Sequence, residues 1–353
     1  MTNALRGRTL PLVAAGALAL GLAACGGGDG DTAADGTELE AELTASGASF
    51  PDAYYQAVIE SFADEAPGVV INYEATGSGT GKEQFAQGLT DFAGSDSLVG
   101  ESDGIDASTF FYVPTVAAPI TISYNLPDVS ELQLSPDTLA GIFQAEITSW
   151  DDPAIAADNP DATLPATKIL VAHRSDGSGT TNNFSTYLDT ASDDWKLGAG
   201  DEIEWPASTE GGEKNTGVAQ IVQQNEGAVG YVDLADAVAS DLVTASIQNA
   251  EGEYVAPTLD GATAALSGAQ VNDDLSYNPL NAAGGTAYPI TAPTYLLLRA
   301  EYDDATTADA VKAFVEYLLG AGQDQAASVN FAKLPDELKD KALAQLDKIK
   351  VKG

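Results

Sequence analysis

Three apolar, β-type runs in this chain each stop at a short Gly/Ser/Thr turn that opens a helix-like segment, and this junction constrains the fold more than any other feature. The richest example is His173-Arg174-Ser175-Asp176-Gly177-Ser178-Gly179-Thr180-Thr181, set between the run Ile169–Ala172 and a helical segment, Asn182–Ala191. A strand, a small-residue turn and a helix start gather free backbone N–H groups at the dipole-positive end of a helix, which is an anion site. Ser178, Thr180 and Thr181 add hydroxyls. Arg174 adds a fork of donors that matches a tetrahedral oxyanion. Beyond the N-terminal segment only one other arginine occurs, Arg299.

Two further junctions repeat the pattern. Gly47-Ala48-Ser49-Phe50-Pro51 follows a short strand, Leu43–Ala45, and opens a helix over Tyr54–Ala66. Pro51 suits a first helical turn, where a missing N–H costs nothing. Gly77-Ser78-Gly79-Thr80-Gly81 follows the strand Val69–Glu74 and opens a helix over Lys82–Leu89. Each junction alone is what a capped helix would show. Three of them, with a lone arginine, point to one dehydrated anion, which needs many donors at once.

Elsewhere the pattern predicts strands at Phe110–Val116, Ile120–Tyr124, Val229–Val232 and Thr294–Arg299. It predicts helices at Pro136–Phe143, Val218–Gln224 and Ala308–Leu319. The alternation argues for an α/β protein with parallel sheets. Residues 271–285 read as a polar surface loop.

Asp96, in Gly94-Ser95-Asp96-Ser97, is the odd element. By composition it is a surface or capping residue. Beside an anion it would repel, unless the anion brings a proton to donate. Monohydrogen and dihydrogen phosphate do, and sulfate at neutral pH does not, so such an acceptor would discriminate between them.

The chain of 353 residues carries a formal net charge of −38, and from Thr9 to Ala310 its cations are Lys82, Lys168, Arg174, Lys196, Lys214 and Arg299. This excludes nucleic acid as a partner, because little here could neutralise a phosphate backbone. Residues 1–24 read as a signal peptide: Arg6 and Arg8, the apolar run Leu10–Ala19, then Leu22-Ala23-Ala24 before Cys25. The ending resembles a bacterial lipobox, so Cys25 is expected to be lipidated. It is the only cysteine, and no intrachain disulfide can form. Residues 25–42 read as an acidic tether reaching roughly 50–60 Å at about 3.3–3.6 Å per residue, with the folded body starting near Leu43.

Gly47-Ala-Ser-Phe-Pro, Gly77-Ser-Gly-Thr-Gly, Gly94-Ser-Asp, Arg174-Ser-Asp-Gly-Ser-Gly-Thr and Gly227-Ala-Val-Gly-Tyr-Val together resemble the substrate-binding protein of the bacterial high-affinity phosphate ABC transporter. So do Ser149-Trp-Asp-Asp-Pro, Tyr288-Pro-Ile-Thr and Leu334-Pro, and the resemblance runs from about Leu43 to Lys350. It implies a two-lobed periplasmic-binding-protein fold of type II, with two mixed sheets and flanking helices joined by a hinge. Lobe one would be 43–115 and 291–353, and lobe two 116–290, with crossovers near 116–121 and 286–290. The implied phosphate ligands are Ser49, Phe50 through its N–H, Ser78, Asp96 as proton acceptor, Arg174, Ser178, Gly179 and Thr180, with Asp176 orienting Arg174. Ser49 stands where many relatives carry Thr, which keeps the hydroxyl. The implied partners are inorganic phosphate and the transmembrane permease subunits of the transporter with their cytoplasmic ATPase. The protein would be a lipid-anchored monomer on the outer face of the cell membrane, with no cofactor, no metal and no enzymatic activity. Two alternatives stay open on the residues alone. One is a binding protein for another tetrahedral oxyanion. The other is a secreted hydrolase using Ser178, which has against it the absence of a G-x-S-x-G elbow.

Overall fold

The computed structural model describes residues 39–353. The segment 1–24, Cys25 and most of the tether lie outside the described residues. The first strand begins at Ala41, so the body starts two residues before Leu43 and takes the last two residues of the expected tether.

In chain order the elements are β1 (Ala41–Gly47), α1 (Asp52–Glu65), β2 (Val69–Ala75), α2 (Ser78–Ala86), β3 (Phe92–Ser95), β4 (Phe110–Tyr124) and β5 (Gln133–Leu134). Then come α3 (Pro136–Phe143), α4 (Pro153–Asp158), β6 (Leu170–Arg174), α5 (Gly179–Ala191), β7 (Glu210–Gly212), α6 (Lys214–Gln224), β8 (Ala228–Asp233) and α7 (Leu234–Ala239). After β9 (Val243–Thr244), β10 (Ser246–Gln248), β11 (Tyr254–Val255) and α8 (Leu259–Gly268), the chain returns through β12 (Thr291–Arg299) and β13 (Glu301–Tyr302). It ends with α9 (Ala305–Leu319), β14 (Ala332–Lys333), α10 (Asp336–Gln345) and β15 (Lys350–Val351).

The main sheet runs β2-β1-β3-β12-β4-β8-β6-β7, with β14 and β9 also on β4. It is mixed rather than parallel throughout. The two flanks, β2-β1-β3 and β8-β6-β7, pair in parallel. Between them β12 runs antiparallel to both β3 and β4, and β4 antiparallel to β8. The two strands expected at 110–116 and 120–124 are one fifteen-residue strand, buried along nearly its whole length. Its partner changes midway: residues 110–119 pair with β12, and Ile120–Tyr124 with β8. Pro119, which has no N–H for a ladder, stands at that change. There the Ile120 N–H donates to Ile290 O at 2.8 Å, and the Tyr288 hydroxyl donates to Ile120 O at 2.9 Å. Residues 119–120 and 288–290 therefore lie side by side.

Each half of the sheet has its own aromatic packing. On the β1 side Tyr55 meets Tyr73 at 5.1 Å between ring centroids, and the Tyr73 hydroxyl donates to Ala48 O at 2.8 Å. On the β6 side Phe184 stacks on Tyr231 at 4.6 Å and His173 on Trp205 at 4.9 Å. The loop 271–285 is less superficial than its composition predicts, since Leu275, Ser276 and Tyr277 are buried. Tyr277 exchanges two bonds with the Tyr295 hydroxyl, its N–H donating at 3.1 Å and its carbonyl accepting at 3.0 Å.

Glycine is required where the first helix starts converge. Gly47 has φ 143°, and a Cβ there would lie 2.0 Å from Gly94 O; a Cβ on Gly81 would lie 2.4 Å from the Gly47 Cα. These contacts bring α2 against the ends of β1 and β3. Replacing Gly47 with Ala is expected to destabilise the fold by about 2–4 kcal/mol, through backbone strain and overpacking together. Urea denaturation checks this: the midpoint should fall while the slope stays unchanged.

Candidate functional site

Four chain segments build the site, and their local chemistry explains their shape. Side chains of Ser135, Asp152, Asp233, Thr258 and Asp304 cap the N-termini of α3, α4, α7, α8 and α9. Helices α1 and α2 start with no side-chain cap, at Pro51 and Gly77, as do α6 and α10 away from these segments. An uncapped helix start leaves its N–H groups for another acceptor. Ser49, just before α1, has a buried hydroxyl without a hydrogen-bond partner. Phe50 is buried, its ring edge-on to Phe331 at 5.7 Å, which fixes the backbone it carries.

Ser78 opens α2 and is buried. Its hydroxyl oxygen accepts the Asp96 N–H at 3.1 Å, and the hydroxyl lies 3.4 Å from Asp96 Oδ2. Helix α2 begins at Ser78, four residues before the expected start at Lys82, so Gly79, Thr80 and Gly81 belong to its first turn.

On the other side β6 ends at Arg174, and α5 begins at Gly179, with the Ser178 hydroxyl accepting the Thr181 N–H at 3.1 Å. Ser178 keeps its own proton to donate. Arg174 is 3 % exposed. Its Nε donates to Asp176 Oδ1 at 2.7 Å and its Nη2 to Asp176 Oδ2, so Asp176 grips one edge of the guanidinium. The other edge makes only long contacts from Nη1, to Thr180 Oγ1 at 3.4 Å and Asn215 Oδ1 at 3.3 Å. Charge-assisted bonds are normally shorter, so this edge remains able to engage an anion. The Tyr231 hydroxyl accepts the Arg174 N–H at 3.0 Å and shares a 2.6 Å bond with Thr181 Oγ1, tying the strand end to the helix start.

The structure brings these segments together. A Cβ on Gly179 would lie 2.5 Å from Ser78 Oγ and 2.9 Å from Asp96 Oδ2, so only glycine lets α5 approach this closely. Asn183 Nδ2 donates to Asp96 O at 2.6 Å, and the Gly79 N–H donates to Gly177 O at 3.0 Å.

Asp96 is 3 % exposed, and its Oδ1 has no hydrogen-bond partner. Burial pushes its carboxyl up to about 7. The nearby Thr294 hydroxyl and Arg174 guanidinium oppose the rise, and Asp201 adds to it. The site is thus a set of hydroxyls, helix starts and one guanidinium around a single carboxylate. Such a set suits an anion that both accepts many hydrogen bonds and donates one. Among the described residues no group of His, Cys, Asp and Glu is arranged to hold a metal ion.

His173, the only histidine in the chain, places Nδ1 2.8 Å from Arg174 O and stacks on Trp205, while the Ser178 hydroxyl caps α5. Sequence reasoning missed Asn183, Asn215, Tyr231, Lys82 and Asp201. Asn and Tyr give no signal of their own within a helix or strand. Lys82 stood out only as a rare cation, and its partner Asp201 lies in an unpatterned loop.

Residues 28–321 match the sequence profile of the PBP superfamily domain. The phosphate-binding protein PstS of Xylella fastidiosa is 37 % identical over 305 residues, covering 84 % of this chain and 82 % of its own. The phosphate-binding protein PstS 3 of Mycobacterium tuberculosis is 36 % identical over 361 residues, covering 95 % and 96 %. Among solved structures, a high-affinity periplasmic phosphate-binding protein (PfluDING) bound with phosphate superposes with a TM-score of 0.71 at 22 % identity, over 86 % of this chain and 94 % of that one. A phosphate-bound ABC transporter substrate-binding protein of Clostridium perfringens gives 0.62 at 17 % identity, over 84 % and 100 %. With its mixed sheet, flanking helices and convergent helix starts, the chain belongs to the phosphate-binding proteins of the PBP superfamily.

Proposed function

We propose that this protein captures inorganic phosphate outside the cytoplasmic membrane and delivers it to an ABC-type phosphate importer. The observation that carries this reading is Asp96: a buried carboxylate with an unpartnered oxygen, set among donors that otherwise suit an anion. Phosphate is the common tetrahedral oxyanion that keeps a proton at neutral pH for such an acceptor. Sulfate offers none and would meet an ionised Asp96 as a like charge, so rejection of sulfate should strengthen as pH rises through about 7. Relatives named as phosphate-binding proteins support the same ligand.

In this reading Ser49, Phe50, Ser78 and Asp96 hold phosphate from lobe one, residues 43–115 and 291–353. Arg174, Ser178, Gly179 and Thr180 hold it from lobe two, residues 116–290, with Asp176 fixing Arg174. The partner change on β4 at Pro119 and Ile120, against Ile290, supports a hinge at that point. Binding and closure are then one event, because neither lobe alone completes the donor set. The protein binds and releases phosphate without transforming it. The engaged His173 and the capping role of Ser178 support this over a hydrolase. Permease subunits and their ATPase are the downstream partners, and a lipid on Cys25 holds a monomeric body at the outer face of the membrane.

Arg174 is the one cation placed among these ligands. Arg174→Ala should weaken phosphate binding by about 2–5 kcal/mol, and Arg174→Lys should recover only part, since a point charge cannot reproduce the fork. Calorimetric titration with phosphate and sulfate checks both. Unaltered affinity in the alanine variant would place the site elsewhere.

The raised Asp96 value also makes stability depend on pH. Below about 4 the carboxyl is protonated in both folded and unfolded chains. Between about 4 and about 7 the unfolded chain ionises first, so the phosphate-free fold loses stability as pH rises, and above 7 that loss is complete. Phosphate-free Asp96→Asn should therefore melt above the wild-type chain at pH 8, with a gap that narrows toward pH 4.5. A gap independent of pH would remove the buried ionisation from the account.

A further inference from the structure

Lys82 carries a buried ammonium, 4 % exposed, shared between two carboxylates that belong to different halves of the sheet. Asp103, in the short turn between β3 and β4, lies 3.0 Å from it; Asp201, in the loop between α5 and β7, also lies 3.0 Å from it. Leu98 O accepts from the same ammonium at 3.3 Å. Asp201 touches the site through two further contacts. Its carbonyl accepts the Ser178 N–H at 3.0 Å, its Oδ2 accepts the Ser97 hydroxyl at 3.1 Å, and Ser97 directly follows Asp96.

We propose that Lys82 and Asp201 form a latch across the cleft that sets how long phosphate stays bound, acting as positioning residues rather than as ligands. The proposal rests on the phosphate-binding reading above. Asp201 holds the start of α5 by its main chain and the Asp96 loop by its carboxylate, so the Lys82 pair clamps the two ligand-bearing segments against each other. The second partner makes the latch reversible. When the lobes part, Lys82 keeps Asp103, which sits on its own side, and no buried ammonium is stranded. Opening then breaks one ion pair of two. Lys82 also neutralises a carboxylate that would otherwise stand beside both Asp96 and the bound anion.

This arrangement predicts an effect on release rather than on capture, because encounter with phosphate occurs in the open form, where the pair is not made. The test is stopped-flow measurement of phosphate association and dissociation in the full-length chain, following Trp fluorescence. Asp201→Asn and Lys82→Met should each speed dissociation about tenfold or more while changing association less than about threefold. The double variant should be no faster than the faster single variant, since the two side chains form one interaction. Asp103→Asn, which removes only the same-side partner, should not speed dissociation. Unchanged dissociation in Asp201→Asn, or effects of the two single variants that multiply in the double, would overturn the latch. Failure of the wild-type chain to bind phosphate would overturn the ligand assignment instead, so the two failures are distinguishable.

Discussion

Everything at this site depends on burying one carboxylate, Asp96, where strand ends and helix starts from both halves of the sheet converge. Alone, the carboxyl resists ionisation, as its rise to about 7 shows. Thr294, Arg174 and Ser78 offset part of that cost, and the donors that remain are available to an anion. Arg174 is held by Asp176 with one edge turned to the site, and the Ser49 hydroxyl has no partner of its own. On the proposed reading, an anion without a proton would satisfy these donors and clash with an ionised Asp96. An anion with one satisfies all of them. On the proposed reading, selectivity comes from a single acceptor placed among donors.

The acidity of the whole chain sharpens this point. A protein with a formal charge of −38 repels its own ligand at long range. That repulsion is screened within about 8 Å at physiological ionic strength. Short-range donors in a dry, closed site can then outweigh it, because each bond gains as water leaves. The few cations follow the same logic. Arg174 and Lys82 are buried, while four of the ten other lysines pair with carboxylates near the C-terminus, such as Lys333 with Asp324 and Lys341 with Glu337. Exposed pairs of that kind contribute little.

Much of this was legible in the sequence where local chemistry forces local structure. The Gly/Ser junctions marked α1, α2 and α5, and the arginine singled out at the third junction is buried among them. Three features were hidden for physical reasons. The Gly-rich segment before Lys82 reads as a turn, yet Gly79 and Gly81 are helical, because only residues without a Cβ let α2 press on Gly47 and Gly177. The strands expected at 110–116 and 120–124 are one, because β4 continues through Pro119 by exchanging one neighbour for another. The antiparallel setting of β12 leaves no local trace, since strand direction is decided by what lies beside it. The link from Lys82 to Asp201 joins residues far apart in sequence, one of them in a loop without pattern.

The central claim is that Asp96 is ionised in the complex and accepts the proton of the phosphate. Infrared difference spectroscopy at pH 6 tests it directly, because at that pH the phosphate-free carboxyl is mostly protonated. Adding phosphate should remove a protonated-carboxyl band and produce a carboxylate band, and neither change should occur in Asp96→Asn. A protonated-carboxyl band that persists or grows on binding would mean that Asp96 donates rather than accepts, and would contradict the account.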